Sequence, residues 1–151
     1  MLTPFPIHVE MNLCHKTDKD YKENRYQQQI AYCRRNVDTA DRKRIFEKYH
    51  VDWDDRNKYT VDHIIPLSLG GSNLGIWPEH KAIRNHRRPL EIWNYWAIRQ
   101  GCLGQREVLK VILSSKYNPV FILEKSVKSY GNFQNYLKVI HPKIWRVWLC
   151  D

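Results

Sequence analysis

The chain has 151 residues, of which 42% are hydrophobic, and this is enough for one domain with a substantial core. Its formal net charge of +9 and isoelectric point of about 9.5 favour a polyanionic partner, either nucleic acid or an anionic membrane surface. No uninterrupted apolar run approaches the length of a membrane span, which argues against a transmembrane helix.

The N-terminus and the cysteines bear on the compartment in which the chain folds. Residues 1–6 lack the basic start and the apolar stretch of a signal peptide, which favours a cytoplasmic location. Cysteines stand at positions 14, 33, 102 and 150, and none of them forms the Cys-x-x-Cys pair of a zinc ribbon. Their even number permits two disulfides, but four separate thiols in a reducing cytosol is the favoured interpretation.

The first third of the chain is predicted to hold an irregular entry and two helices. Residues 1–16 are irregular, and a helix is predicted from Asp18 to about Arg35, where no Pro or Gly intervenes. After a break at residues 36–39 with good N-cap chemistry, a second helix runs from about Ala40 to Tyr49. A polar loop is predicted at residues 52–58. The residues that share one side are Tyr21, Arg25, Gln28 and Tyr32 in the first helix, and Ile45, Phe46 and Tyr49 in the second.

The next segment reads as two short strands followed by a helix. Residues 59–61 favour a pleated surface, and the strand continues through Asp62 and His63 into a turn at Pro66. The strongest loop signal of the chain follows at residues 70–73, Gly-Gly-Ser-Asn. A second strand is predicted at residues 75–77. Pro78 suits the first turn of a helix, because its missing N–H is not needed there, and this helix is predicted to reach about Arg88.

The last third is predicted to be mainly helical. Pro89 ends or kinks the preceding helix, and further helices are predicted at residues 90–100 and 105–114. Residues 120–151 are mixed, and their apolar and aromatic end is expected to pack on the core. No repeat and no long linker is visible, so residues 1–151 are predicted to form a single domain.

The residues from Val61 to Glu91 form the motif that is most informative about function. They combine a strand with Asp-His, a Pro, a Gly-Gly loop, a Trp-Pro pair and a helix rich in His, Asn and Arg. This order and spacing resembles the HNH endonuclease family, whose members are also called ββα-metal or His-Me finger nucleases. The resemblance implies an α+β fold in which a ββα-metal core at about residues 59–88 is flanked by N-terminal and C-terminal helices. The matching positions are residues 62–73, Trp77, Pro78, Asn85, Arg87, Leu90 and Glu91.

The same resemblance implies metal-dependent hydrolysis of DNA phosphodiester bonds, with a 5′ phosphate on the product. His63 would be the general base, since a neutral imidazole with an ordinary pKa of about 6.5 can take a proton from water. Asp62 would be the first metal ligand, and the helix would supply another, for which Asn85 ranks first. His86 is the neighbouring alternative for that ligand, and His80 ranks third.

This chain departs from the family pattern at two positions. The family's middle Asn usually precedes the Trp-Pro segment, where this sequence has Gly75. Asn73 can take over the orienting hydrogen bond, and it is counted among the catalytic residues for that reason. In the helix the ligand position holds Asn85 rather than His. A set of oxygen ligands favours one Mg²⁺ or Mn²⁺ ion, with Zn²⁺ and Ni²⁺ as alternatives.

Basic residues around the motif are interpreted as phosphate contacts, which position DNA without reading its sequence. A solvated basic face is the alternative interpretation of the same residues. A second basic group either extends the DNA track or only keeps the protein soluble. The expected phosphate contacts are Lys81, Arg84, Arg87 and Arg88, and the second group is Arg34, Arg35, Arg42, Lys43 and Arg44.

The expected partner is DNA, in double-stranded form, and no membrane. A nuclease that cuts both strands with one site per chain often acts as a homodimer, and the sequence leaves the oligomeric state open. Two other functions are compatible with the residues. One is a nucleic-acid-binding ββα module without turnover, which the missing middle Asn suggests, and the other is a structural domain that does not bind nucleic acid.

Overall fold

The computed structural model describes residues 12–101 and 103–117, which form a mixed α+β unit. Two antiparallel sheets of two strands each, β1–β2 and β3–β4, are combined with three helices in this part of the chain. The elements are β1 (Tyr21–Arg25), β2 (Ile30–Cys33), α1 (Thr39–Lys48), β3 (Tyr59–His63), β4 (Ile76–His80), α2 (Lys81–Arg99) and α3 (Gln105–Tyr117). The segment 120–151, predicted to be mixed, lies outside the described residues.

The segment predicted as the first helix is a β-hairpin, so that prediction is wrong. Strands β1 and β2 pair in antiparallel fashion, and the turn passes through Tyr26 and Gln29, whose φ angles are 65° and 55°. Ile30 and Cys33 on β2 are buried. The helical spacing of Tyr21, Arg25, Gln28 and Tyr32 was misleading, because these four residues are only half-buried, whereas the buried Ile30 and Cys33 lie outside that set.

Hydrogen bonds to distant backbone groups hold the tip of the hairpin. The Tyr26 hydroxyl donates to the carbonyl of Ser68 at 2.8 Å. The side-chain amide of Gln28 donates to the carbonyls of Ile98 and Leu103, at 3.1 and 2.6 Å. These acceptors lie at least 42 positions away along the chain, so the local sequence carried no sign of them.

A disulfide joins Cys14 to Cys33, with a Cα–Cα distance of 5.8 Å. The expectation of four separate thiols is therefore wrong for these two cysteines, while residues 102 and 150 lie outside the described part. The backbone N–H of Cys14 donates to the carbonyl of Gly70 at 2.8 Å, and Leu13 forms an isolated β-bridge with Gly71. The disulfide thus links the hairpin to the glycine loop of the motif.

Helix α1 is confirmed, one residue earlier than predicted at its start. Its N-cap is Asp38, whose side chain accepts from the backbone N–H of Asp41. The side chain of Asp41 in turn accepts from the backbone N–H of Asp38, which completes a capping box. Ile45 and Phe46 are buried against Val61 of β3 and Ile76 of β4. The following residues, expected to be an irregular loop, form a 3-10 helix at Trp53–Lys58.

The second strand of the motif is longer than predicted, because it includes Pro78. The N–H of Ile64 donates to the carbonyl of Gly75 at 2.8 Å, and the register pairs Val61 with Pro78. Since hydrogen-bonded and non-hydrogen-bonded pairs alternate, Val61 and Pro78 form a non-hydrogen-bonded pair. The missing N–H of Pro78 therefore faces away from β3 and costs the ladder nothing.

Helix α2 begins at Lys81 and runs to Arg99 without the break expected at Pro89. A proline inside a helix costs about 3 kcal/mol, since it removes one hydrogen bond and crowds the preceding turn. Burial offsets this cost, because Leu90 and Ile98 on α2 are fully enclosed together with Val108 and Ile112 of α3. The predicted α3 is confirmed and continues to Tyr117.

The glycines of the loop are required by its geometry. Gly70 has a φ of 94°, a left-handed conformation that disfavours residues with a side chain. A Cβ atom at Gly71 would lie 1.7 Å from the carbonyl oxygen of Ile65. The Gly-Gly pair predicted as a loop is therefore a close crossing of two backbone segments.

Among residues 12–101 and 103–117, none of the helices combines the length and the apolar character needed to cross a membrane.

We expect the disulfide to contribute about 3 kcal/mol to the free energy of unfolding, since it closes a loop of 19 residues. The double variant Cys14→Ser/Cys33→Ser should unfold at a correspondingly lower urea concentration than the wild type. Reductant should lower the midpoint of the wild type and leave that of the double variant unchanged. Equal midpoints for wild type and double variant would show that the bond contributes nothing.

Candidate functional site

His63 ends β3 and is buried, with 3% of its surface exposed. Because successive side chains of a strand point to opposite faces, Asp62 and His63 face different surroundings. Their link is local: the Asp62 carboxylate accepts a hydrogen bond from the backbone N–H of His63 at 3.1 Å. The chain bends directly after His63, at Ile64 and Ile65.

The structure brings Asn73 against His63. The Asn73 Oδ1 atom lies 2.9 Å from His63 Nε2, and it also accepts from the backbone N–H of Asn36 at 3.0 Å. The Asn73 Nδ2 group donates to Asp20 Oδ2 and to the carbonyl of Arg34, each at 2.9 Å. Asn73 thus occupies the orienting place that the sequence suggested for it.

This network fixes which nitrogen of His63 carries the proton. The two partners of Asn73 Nδ2 are a carboxylate and a carbonyl, and both can only accept, so the amide group must face them. The Asn73 oxygen therefore faces His63, and the neutral imidazole carries its hydrogen on Nε2. The lone pair is then on Nδ1, which has no hydrogen bond to any of the residues that the structure describes.

The pKa of His63 is lowered below its ordinary value. Burial is the largest cause, since it penalises the charged imidazolium. The hydrogen bond that His63 donates to Asn73 opposes this effect, and the nearby positive charge of Arg35 adds to it. The ring is consequently neutral at neutral pH and available to accept a proton.

Lys116 of α3 supports the bend after His63. Its ammonium group is buried, and it donates to the carbonyls of His63 and Ile64, at 2.6 and 2.8 Å. Burial lowers the pKa of Lys116, and the positive charge of Arg87 lowers it further. The sequence did not indicate this residue, because it lies 53 positions beyond His63 and belongs to no motif.

Asp62 is partly accessible, with 25% of its side chain exposed. Its Oδ2 atom lies 3.8 Å from Arg84 Nε and 3.9 Å from Arg87 Nη2, both on α2. These distances describe loose ion pairs rather than hydrogen bonds. The carboxylate therefore keeps one face on which a further cation can approach.

Arg87 does not lie at the surface where a phosphate contact was expected. Its side chain is fully buried and forms a bidentate salt bridge with Glu79 of β4. Its Nε atom also donates to Glu91 Oε1 at 3.3 Å. Burial raises the pKa of Glu79, and Arg87 counteracts the shift. A guanidinium held in this way joins β4 to α2, which is a structural role that the sequence did not reveal.

The other predicted residues of α2 lie at different positions. Lys81 and Arg88 are exposed, and Arg84 is partly exposed with 37% of its side chain accessible. Asn85 is exposed as well, and the structure does not bring it against Asp62. Neighbouring helix positions differ by about 100° around the axis, so Asn85 points away from the direction in which Arg84 reaches Asp62. The side chain of His86 is outside the described part.

A divalent metal therefore has one suitable ligand in the described site, Asp62. Proteins often hold Mg²⁺ through only one or two carboxylates, with water and substrate phosphate filling the other positions. A single, partly exposed carboxylate fits that mode of binding. Within residues 12–101 and 103–117, no group of three or more His, Cys, Asp or Glu side chains converges on one point.

Comparisons of the chain with protein-family models, with curated proteins and with solved structures found no match. What the site can do therefore follows from its own residues.

We expect Arg87→Met to lower the free energy of unfolding by about 3 to 5 kcal/mol, because it leaves the Glu79 carboxylate buried without its partner. Arg88→Met is the matched control on the exposed face, and its effect should stay within about 0.5 kcal/mol. Urea unfolding followed by circular dichroism measures both. Similar losses for the two variants would contradict the structural role of Arg87.

Proposed function

We propose that the protein is a metal-dependent endonuclease of the HNH type, which hydrolyses phosphodiester bonds of DNA with His63 as the general base. The observation that carries this proposal is the hydrogen bond between His63 and Asn73. It holds a buried, neutral imidazole with its lone pair on Nδ1, next to a partly exposed carboxylate and beside a basic helix.

His63 supplies the proton acceptor for the attacking water. Its lowered pKa keeps the ring neutral, so that Nδ1 can take a proton at neutral pH. The imidazolium that results keeps its Nε2–H bond to Asn73 Oδ1, which limits the rotation of the ring during the transfer. Lys116 holds the backbone at the base, through the carbonyls of His63 and Ile64.

Asp62 is the carboxylate that would hold a divalent cation, with water and substrate phosphate at the other positions, whereas Asn85 is exposed and faces away from Asp62. A bound ion, with Mg²⁺ or Mn²⁺ favoured, would polarise the phosphate and stabilise the leaving oxygen. The 25% exposure of the Asp62 side chain favours this role, because the carboxylate can be reached from solvent. Arg84 also brings a positive charge to the place where the phosphate would lie.

The accessible cations near the site fit the backbone of double-stranded DNA. Lys81, Arg84 and Arg88 lie on α2, and Arg35 lies beside β3, where it donates to the carbonyl of Val61 at 3.3 Å. Contacts of this kind orient a duplex without reading its sequence. These residues replace the buried Arg87 as the proposed phosphate contacts.

The proposal predicts that the protein nicks or linearises supercoiled plasmid in Mg²⁺ or Mn²⁺, and that EDTA abolishes the reaction. His63→Ala should lower the rate by a factor of about 10² to 10⁴, since it removes the general base. The control is His50→Asn, which changes an exposed histidine in a left-handed conformation that asparagine tolerates. Agarose gels of time courses measure both rates.

A plasmid that is retarded but not cut in any divalent metal would contradict the proposal. It would favour the binding module without turnover instead. The loose pairing of Asp62 with two guanidiniums is the observation that favours this second candidate, because it gives the carboxylate a role without metal. Equal cleavage by the His63→Ala variant would exclude His63 as the base.

Replacing Lys81, Arg84 and Arg88 together by Gln should weaken DNA binding and reduce its dependence on salt. Each phosphate contact that is lost should lower the slope of log affinity against log salt by about 0.9. The control replaces Lys22, Lys48 and Lys58, three exposed cations on other elements, and removes the same charge. Fluorescence anisotropy over a range of salt measures both. Equal slopes for the two triple variants would place the DNA elsewhere.

A further inference from the structure

We infer that Asp20 is a positioning residue of this site, because its carboxylate fixes the side-chain amide of Asn73 and thereby the tautomer of His63. The inference depends on the proposed function only for its effect on catalysis.

Asp20 is placed to act on one amide orientation. Asp20 is 2% exposed and lies directly before β1, outside the motif that suggested a nuclease. Its Oδ2 atom accepts from Asn73 Nδ2 at 2.9 Å, and its Oδ1 atom accepts from Asn36 Nδ2 at 3.0 Å. The nearest positive charge, Arg34 Nε at 3.9 Å, forms only a loose pair with it.

The chemistry of the three groups leaves one arrangement. A carboxylate offers no hydrogen, so Asn73 must present its NH₂ group to Asp20 and its carbonyl to His63. If the amide were turned round, oxygen would face oxygen at Asp20 inside the protein, and a buried contact of that kind is strongly unfavourable. The position of the proton on His63 is therefore set two hydrogen bonds away, by a buried carboxylate that acts together with the carbonyl of Arg34 and the N–H of Asn36.

The hairpin is thereby part of the site. Asp20, the carbonyl of Arg34 and the N–H of Asn36 flank β1 and β2, whereas His63 and Asn73 belong to the motif. Arg34 follows Cys33, which the disulfide ties to the segment that contacts the glycine loop. A change in the hairpin can therefore alter the base without touching it.

Two measurements test this inference on the full chain. The ¹⁵N chemical shifts of the imidazole, recorded at a pH where the ring is neutral, identify the tautomer of His63 without any substrate. Plasmid cleavage then gives kcat and KM separately. The proteins compared are the wild type, Asp20→Ala, Asp20→Asn and the control Asp55→Ala, which removes a surface carboxylate paired with Lys58.

We expect wild-type His63 to carry its proton on Nε2. Asp20→Ala should show a larger share of the Nδ1–H tautomer than the wild type, while the carbonyl of Arg34 and the N–H of Asn36 still favour Nε2–H. Its kcat should be lower by about 10- to 100-fold, the usual effect of removing a group that orients a functional histidine. Its KM should change little, because Asp20 is buried and offers almost no surface for a substrate to contact. Asp20→Asn should recover most of the kcat, since its amide oxygen still accepts from Asn73, and Asp55→Ala should match the wild type.

A proton on Nδ1 of His63 in the wild type would overturn the inference, even if the Asp20 variants fail to fold. A folded Asp20→Ala protein with the tautomer and kcat of the wild type would overturn it as well. If the wild type does not cleave DNA, the proposed function fails, whereas the ¹⁵N spectra still decide whether Asp20 sets the tautomer.

Discussion

The side-chain amide of Asn73 is the constraint on which the site depends. It makes the four hydrogen bonds that an amide can form, to Asp20 and Arg34 on one side and to Asn36 and His63 on the other. Three of these partners, Asp20, Arg34 and Asn36, flank the N-terminal hairpin. The orientation of the histidine is therefore a property of two separate parts of the chain, which the Cys14–Cys33 bond helps to keep together.

A second set of polar groups, most of them buried, also supports the motif. Glu79, Arg87, Glu91 and Lys116 bring two negative and two positive charges together, so that each is compensated by neighbours. Lys116 also donates hydrogen bonds to the carbonyls of His63 and Ile64, at the bend that follows His63. Asn73, which the residues flanking the hairpin hold in place, thus holds the ring of His63, and Lys116 of α3 holds its backbone. Together these contacts leave the ring little freedom to turn.

Local patterns predicted α1, β3, α3 and the glycine loop, because caps, β-branched residues and Gly-Gly act on their own neighbours. They also placed His63 and Asn73, whose contact depends on a short loop. They failed for the hairpin and for Pro78, whose structures are decided by disulfide, register and burial. Asp20 and Lys116 escaped notice for the same reason, since they reach the motif from 53 positions away.

The outer edge of β3 has a consequence for how this molecule meets copies of itself. A sheet of two strands normally offers unpaired backbone groups to any passing strand, and such edges lead to aggregation. Here Arg35 occupies the carbonyl of Val61, Lys116 occupies that of His63, and Asp62 occupies the N–H of His63. Side chains that serve the histidine therefore also occupy three backbone groups of this edge, which leaves fewer of them for a third strand to pair with.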